Sequence, residues 1–317
     1  MGKLTFSEKS NLKLNIVKNL IKKFKKNKII NKKNFLWDYI SNPFGSSKFI
    51  IAKYDNLILG MIVCFPQVFI NNKKKFSGYR IQDVITDVIT IKKLIKQGVD
   101  VKKNNKGIFE NLIFVLNNFL KKNSEINLGF ANHIAVPYWR RNNWDVLMNF
   151  PLYEKKLSAK KNLNLKFKQI YKFNKKHENC FIENLTDKID IFWNKKYSNW
   201  RYFGNPRAKY NVYEAYDKKK LAGYVVLKIF SQKNEKTGHI CQIVCPTNLQ
   251  KELINFSNNF FMDNKCIKMN MWSVNAKILN KLKFKENFPD YKKIVFKSSS
   301  LKKKYKFDFS MGFSDTY

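Results

Sequence analysis

Arginine is nearly missing from this chain. Arg80, Arg140, Arg141, Arg201 and Arg207 are its only copies among 62 basic residues. Close reading of bases and phosphates favours the bidentate guanidinium fork. Nucleic acid is therefore set aside as a partner, despite a formal charge of +39. Lysine is instead spread along the whole chain beside abundant Asn, Ile and Phe, the joint enrichment that A+T-rich codons produce. The excess charge still attracts anionic ligands.

Cysteine is sparse, odd in number and widely spaced: Cys64, Cys180, Cys241, Cys245 and Cys266. That excludes a disulfide framework and fits a reducing cytoplasm, where the chain is expected to reside. Cys241 and Cys245 have no second pair at zinc spacing. They read as core residues on one strand face, and no metal site is expected. The longest apolar run, Leu57 to Phe65, stops at Pro66 and is too short to span a bilayer. Residues 1–30 are interrupted by Lys and lack the apolar core of about 7–15 residues that marks a secretory signal. Neither a Walker A loop nor G-x-G-x-x-G is present, and there is no G-x-S-x-G. These absences remove the P-loop, dinucleotide-binding and serine-hydrolase classes.

What is present is apolar material: 44% hydrophobic and 15% aromatic residues. Such a chain is not disordered, and 317 residues suit two domains. The segment Asn11 to Phe24 places Leu14, Val17, Leu20, Ile21 and Phe24 at helical spacing. A basic amphipathic helix of this kind could lie weakly on a membrane surface, although packing on its own domain is the preferred reading. Strands are expected at Lys48–Tyr54, Leu57–Ile70 and Tyr79–Thr90, joined by turns at Asp55-Asn56 and Asn71–Lys75. This is an antiparallel meander. A helix from Gly107 to Lys122 follows, then a strand over Ile126–Phe130, a short helix near Pro137–Asn142 and a strand near Val146–Tyr153. After a Lys/Asn-rich connection the order repeats loosely. A helix is expected near Ile189–Tyr197, strands near Tyr210–Tyr216, Leu221–Phe230 and His239–Val244, a helix over Leu249–Met262 and a strand near Ile267–Trp272. The repeat is one of order, without matching residues.

One loop carries the chemistry. Asn104-Asn105-Lys106-Gly107-Ile108-Phe109 stands directly before an amphipathic helix. A helix N-terminus offers unpaired N–H donors and partial positive charge, and Gly admits close approach of a ligand to the backbone. Together they suit a phosphate. Taken alone, a Gly before a helix is more often a turn device.

A meander, a phosphate loop and a helix in this order resemble the GNAT acyltransferases. A subgroup found in polysaccharide gene clusters reads close to R-G-K-G-I-F-x-x-L at this loop. Here Lys106-Gly107-Ile108-Phe109-Glu110-Asn111-Leu112 keeps the K-G-I-F-x-x-L part, while Asn104 and Asn105 replace Arg and Gly. Asn tolerates left-handed backbone, so the loop shape is expected to survive. Trp37 to Gly45 resembles W-x-Y-x-x-N-P-x-G, and Gly129-Phe130-Ala131-Asn132 resembles G-F-P-N. Asn142-Asn143-Trp144 is similar to L-G-W. Trp200 to Pro206 with Tyr210 resembles W-R-Y-x-x-x-P-x-x-x-Y, and Met311 to Tyr317 resembles M-G-D-S-D-x-Y.

The resemblance implies an α/β fold of two tandem GNAT-like halves, each a mostly antiparallel mixed sheet flanked by helices. Residues 1–155 would bind acetyl-CoA or another acyl-CoA through Asn104, Asn105, Lys106, Gly107, Ile108, Phe109 and Asn132. Residues 156–317 would form a degenerate half without a phosphate loop that shapes the cleft for a small-molecule amine acceptor. By the same resemblance the acceptor is an amino-sugar. Tyr138 would protonate the leaving thiolate, and His133 could act as base near neutral pH. Asp83 and Asp87, four apart on a strand, would share a face and either bind the amine or pair with Lys. The segment between Thr86 and Val99 reads as an insertion, which leaves two candidates, Asp83–Thr90 and Gly98–Val101, for the strand beside pantetheine. Two other readings stand beside acyl transfer: a Fem-type aminoacyl transferase using aminoacyl-tRNA, and a non-catalytic protein of the same fold. The oligomeric state is not legible from sequence.

Overall fold

The computed structural model describes residues 2–10, 12–24, 30–149, 152–232, 234–273, 276–287, 293–298, 306–308 and 310–313. The chain first forms β1 (Leu4–Lys9), α1 (Leu14–Phe24) and α2 (Lys32–Phe35), which runs into a π-helical turn at Leu36–Ile40. Then come β2 (Lys48–Tyr54), β3 (Leu57–Asn71), β4 (Lys74–Thr86), α3 (Val88–Lys96), α4 (Ile108–Asn123), β5 (Ile126–Ala131), α5 (Val136–Arg141) and β6 (Asp145–Asn149). The later part holds β7 (Leu152–Lys156), β8 (Lys166–Ile170), α6 (Lys175–Glu183), β9 (Asp190–Ile191) and α7 (Lys195–Ser198), with a second π turn at Asn199–Phe203. It continues through β10 (Asn211–Asp217), β11 (Lys220–Gln232), β12 (Glu235–Val244), α8 (Gln250–Asp263), β13 (Lys268–Trp272), α9 (Ala276–Lys281), β14 (Lys285–Asn287) and β15 (Lys293–Ser298).

Two compact units result. One comprises Met1–Phe69, Phe76–Met148 and Asp290–Lys303; the other comprises Ile70–Lys75, Asn149–Pro289 and Lys304–Tyr317. The first sheet runs β1-β2-β3-β4-β5-β15-β6 and the second β14-β7-β13-β12-β11-β10-β8. The first sheet thus takes its penultimate strand from the far end of the sequence, β15 pairing with β5, and in the second sheet β7 pairs with β13. The expected cut after residue 155 falls inside β7, and the expected strand at Val146–Tyr153 is two strands, β6 and β7, in different sheets.

In the first unit the side chains alternate along each strand. Ile50, Ala52, Ile62 and Cys64 pack with Leu112, Ile113 and Leu116 of α4. Phe49, Ile51, Met61 and Val63 pack on the opposite face with Val17, Leu20 and Ile21 of α1. The apolar face of α1 is therefore core, which removes the membrane-surface role suggested by its periodicity. Among the described residues no helix is long and apolar enough to cross a membrane.

The hairpin turns form where expected: Asp55 has φ 49°, and Asn72 and Lys73 have φ 46° and 67°. The expected third strand begins earlier, at Lys74. It ends at Thr86, and the inserted segment is helix α3, capped by Asp87. In the second unit, β9 and α7 stand in place of the single helix expected near Ile189–Tyr197, and α6 precedes them.

The repeat does extend to identical residues, each pair 163 positions apart: Asn31/Asn194, Trp37/Trp200, Tyr39/Tyr202, Asn42/Asn205, Pro43/Pro206, Ala52/Ala215 and Gly60/Gly223. Asn31 caps α2 and Asn194 caps α7, each accepting a backbone N–H at 2.8 Å. The bulge after Ala52 recurs after Ala215. Both π turns belong to this repeated segment.

The parallel pairing of β4 with β5 begins at Gly78↔Ile126. A Cβ on Gly78 would lie 1.9 Å from the Ile126 carbonyl oxygen. Gly78→Ala should therefore lower unfolding free energy by about 1–3 kcal/mol, read as an earlier urea midpoint. A second expectation concerns acid. His177 and His239 are buried, and desolvation holds both below the ordinary histidine range, His239 at about 4. Such groups bind protons more readily unfolded than folded, so their stability contribution is complete above about pH 6.5 and is lost as pH falls toward 4. Denaturation at pH 7, 6 and 5 should show falling stability, with a flatter profile for His177→Gln.

Candidate functional site

The site of the first unit is built where two parallel strands part. Pairing between β4 and β5 runs from Gly78↔Ile126 to Ile81↔Gly129 and then stops. Both strands continue with their other neighbours: Phe130 and Ala131 of β5 pair with Ile294 and Lys293 of β15, and β4 runs on beside β3 to Thr86. Two residues past the last pair, Asp83 adopts left-handed backbone, φ 47°. For a non-glycine residue in a strand this marks a local irregularity that re-aims the side chain. The buried Asp83 carboxylate accepts a 2.7 Å hydrogen bond from the Tyr39 hydroxyl, which is also buried. Tyr39 belongs to the first π turn. Sequence reading passed it over, although the repeated W-x-Y-x-x-N-P is a signal that could have found it.

Asp87 does not share a face with Asp83. The strand ends between them, and Asp87 caps α3, its oxygens accepting the Thr90 amide at 2.9 Å and the Thr90 hydroxyl at 2.7 Å. The alternative pantetheine strand at Gly98–Val101 is not a strand. Of the two candidates, only β4 borders β5 at the parting.

The expected phosphate loop is a tight hairpin. Lys103 and Lys106 exchange backbone hydrogen bonds, each 3.0 Å. The two residues between them, Asn104 and Asn105, have φ 51° and 58°. Left-handed backbone at both central positions defines a type I′ turn, which Asn enters at low cost. The replacement of Arg and Gly by two Asn thus preserves a turn. Asn111, buried on α4, fastens it by donating to the carbonyls of Lys103 (3.1 Å), Lys106 (2.8 Å) and Gly107 (3.0 Å).

Gly107 is the N-cap of α4 in extended backbone, φ −72° and ψ 173°, with no side-chain cap. A Cβ there would meet nothing within 4 Å. The first turn of α4 therefore opens on free space with its amides uncapped by any side chain, the arrangement that binds anions. Asn104, Asn105, Lys106 and Gly107 are exposed, as are Lys102 and Lys103. Glu110 opposes an anion there, and the Arg141 guanidinium stands 3.9 Å from it. Ile108 contributes only its backbone, because its side chain is core.

Phe109 joins the loop to α5. Its ring meets Tyr138 edge-on at 5.4 Å, and the Arg141 guanidinium lies 4.6 Å from the Tyr138 ring centroid. Tyr138 is half-buried, with His133 exposed in the preceding turn. Asn132 is also exposed, and its side chain accepts the Ala135 amide at 2.9 Å. The structure thus brings Phe109 and Tyr138 together and leaves His133 at the rim.

In the second unit α8 starts differently. Pro246 leads into a 3₁₀ turn at Thr247–Leu249, and no glycine precedes the helix. Glu252 in its first turn accepts the Asn164 amide at 2.9 Å.

No family model and no curated protein matches the sequence. Solved structures do. A conserved protein of unknown function from Enterococcus faecalis V583, described as a probable N-acyltransferase, aligns over 95% of this chain and 74% of its own, with TM-score 0.70 and 13% identity. A GCN5-related N-acetyltransferase from Anabaena variabilis gives TM-score 0.68 and 12% identity over 93% of this chain and 73% of its own. N-myristoyltransferase of Saccharomyces cerevisiae with bound myristoyl-CoA gives 0.54 and 11%, over 92% and 79%. At these identities the likeness establishes the fold, the α/β GNAT fold.

Asn111→Ala removes the three bonds that fasten the hairpin to α4. It should destabilise the first unit by about 1–3 kcal/mol and speed hydrogen exchange at the Lys103 and Lys106 amides more than in the α4 interior.

Proposed function

We propose that the protein is an acyl-CoA-dependent N-acyltransferase, with acetyl-CoA or another acyl-CoA as donor and a small amine as acceptor. The observation that carries this reading is the uncapped start of α4 at Gly107, open to space and following directly on a lysine-rich hairpin. The neighbouring folds add weight. Two of those compared are described as N-acyl- or N-acetyltransferases, and the yeast enzyme holds myristoyl-CoA.

In this reading the amides of Ile108, Phe109 and Glu110 hold the diphosphate, and the pantetheine arm lies beside β4 where β5 departs. A main-chain N–H on β4 polarises the thioester carbonyl. The Tyr138 hydroxyl protonates the departing thiolate, and His133 takes the proton from the attacking amine. Alignment of donor and acceptor supplies much of the rate. Asp83, held by Tyr39, contributes negative charge that would attract an ammonium group. The half without a glycine loop supplies acceptor-binding surface. The resemblance to enzymes of polysaccharide gene clusters makes an amino-sugar used in surface-polysaccharide synthesis the acceptor of choice.

Two variants test this. Gly107→Asp introduces a favourable N-cap and should add a few tenths of a kcal/mol of stability, while its carboxylate excludes the diphosphate. Calorimetry should show CoA binding to the parent protein and none to this variant. Tyr138→Phe should lower kcat about 100-fold with CoA affinity unchanged, read as thiol release from acetyl-CoA with an amino-sugar panel. Unchanged turnover would remove Tyr138 from the chemistry. An absence of CoA binding in the parent protein would remove the enzymatic reading altogether.

A further inference from the structure

The parting of parallel strands recurs in the second unit. Pairing of β12 with β13 runs from Thr237↔Lys268 to Ile240↔Met271 and stops. β12 continues along β11 to Val244, and β13 continues along β7 to Trp272. Where Asp83 stands in the first unit, two residues past the last pair, the second has Gln242. It accepts the Tyr202 hydroxyl at 2.9 Å, as Asp83 accepts that of Tyr39. The equivalent slot therefore exists in both halves.

In the second half it encloses a cavity of about 170 Å³, bordered by residues 241–244 of β12 and by Trp272 and Ser273. No glycine-led helix start is present to hold a phosphate. Asp190 and Asp308 line the cavity instead. Their placement follows from backbone pairing. Ile189 and Phe307 form a parallel bridge, with the Ile189 amide bonded to the Lys306 carbonyl and the Asp308 amide to the Ile189 carbonyl, both 2.9 Å. Ile189 and Phe307 are buried. The next residue on each segment faces the other way, so the two carboxylates stand side by side at the cavity wall.

Two adjacent carboxylates are costly away from water unless a cation joins them. Burial raises the proton affinity of both, and Asp308 raises that of Asp190 further. Asp190 accepts the Ile191 amide at 2.6 Å. The Asp308 carboxylate accepts no hydrogen bond among the described residues. Ser310 also lines the cavity, and its buried hydroxyl oxygen has no hydrogen-bond partner among the described residues. Lys188 lies on the same wall and partly offsets the charge of Asp308. In a chain with 23 acidic against 62 basic residues, two acids in one cavity form a local reversal of sign.

We propose that this cavity binds a small organic cation, with an ammonium group held between Asp190 and Asp308 and the body of the ligand against Trp272 and Ile254. This inference stands apart from acyl transfer and holds whether or not the first unit binds CoA.

Calorimetry with glucosamine and glucose, which differ in one ammonium group, tests it on the full chain, with CoA titrated separately into every variant. Glucosamine should bind at least 10-fold more tightly than glucose. Asp308→Asn should abolish that preference without lowering the melting temperature, since it relieves repulsion. Lys188→Met should strengthen glucosamine binding at least twofold by removing the competing cation. CoA affinity should be the same in all three proteins. Equal binding of the two sugars, or a preference that survives Asp308→Asn, overturns the proposal. So does weaker glucosamine binding in Lys188→Met.

Discussion

The structure of the first unit depends on a parallel strand pair that is allowed to run for only four residue pairs. Gly78 lets β4 and β5 approach at one end. At the other end each strand is held by a different neighbour, and the two diverge. Asp83 takes left-handed backbone at that point and is anchored by a tyrosine from the opposite layer of the core. The slot is therefore the consequence of one geometric interruption in a sheet. Helix α4, which precedes β5, starts at a glycine that leaves its first turn uncapped by any side chain and approachable. Neither feature requires a metal or a special side chain.

The second unit shows what happens to such a device when part of it is removed. The asparagine cap, the π turn, the tyrosine anchor and the bulge all persist at a constant spacing of 163 positions, and the strand parting recurs after them. What has changed is the start of the helix after β12, where a proline and a 3₁₀ turn replace the glycine and Glu252 occupies the first turn. The anchored acid has become Gln242. A carboxylate pair arrives from elsewhere, by way of β9 and the segment around Phe307. The slot is lined there by carboxylates in place of a glycine-led helix start.

Charge patterning illustrates how composition and site can disagree. The chain as a whole is strongly basic, and its lysines gather around the hairpin at Lys103 and Lys106 as they do over most of the surface. The informative charges are the rare ones: Asp83, Asp190, Asp308 and Glu214. Glu214 is buried against His177 at 2.7 Å and Lys176 at 2.6 Å, with the Tyr216 hydroxyl also bonded to it. A buried carboxylate must be paired or must await a partner, and this one is paired.

The amino-acid sequence by itself determined the local elements whose chemistry is short-range. It marked the Asp55 and Asn72 turns, the apolar stripe of α4, the left-handed capacity of Asn104-Asn105 and the glycine that opens the helix. Each depends on residues within a few positions, so periodicity and backbone preference suffice. It could not show that residues 152–156 belong to the second sheet and residues 293–298 to the first. Strand pairing is a contact between distant positions, and these segments carry no signal for their partner. Nor could it reveal that Asp87 is a helix cap, that Tyr39 anchors Asp83, or that Asp190 and Asp308 meet across a bridge. Those facts belong to the tertiary structure, because burial and register, and not spacing along the chain, decide which polar groups must find one another.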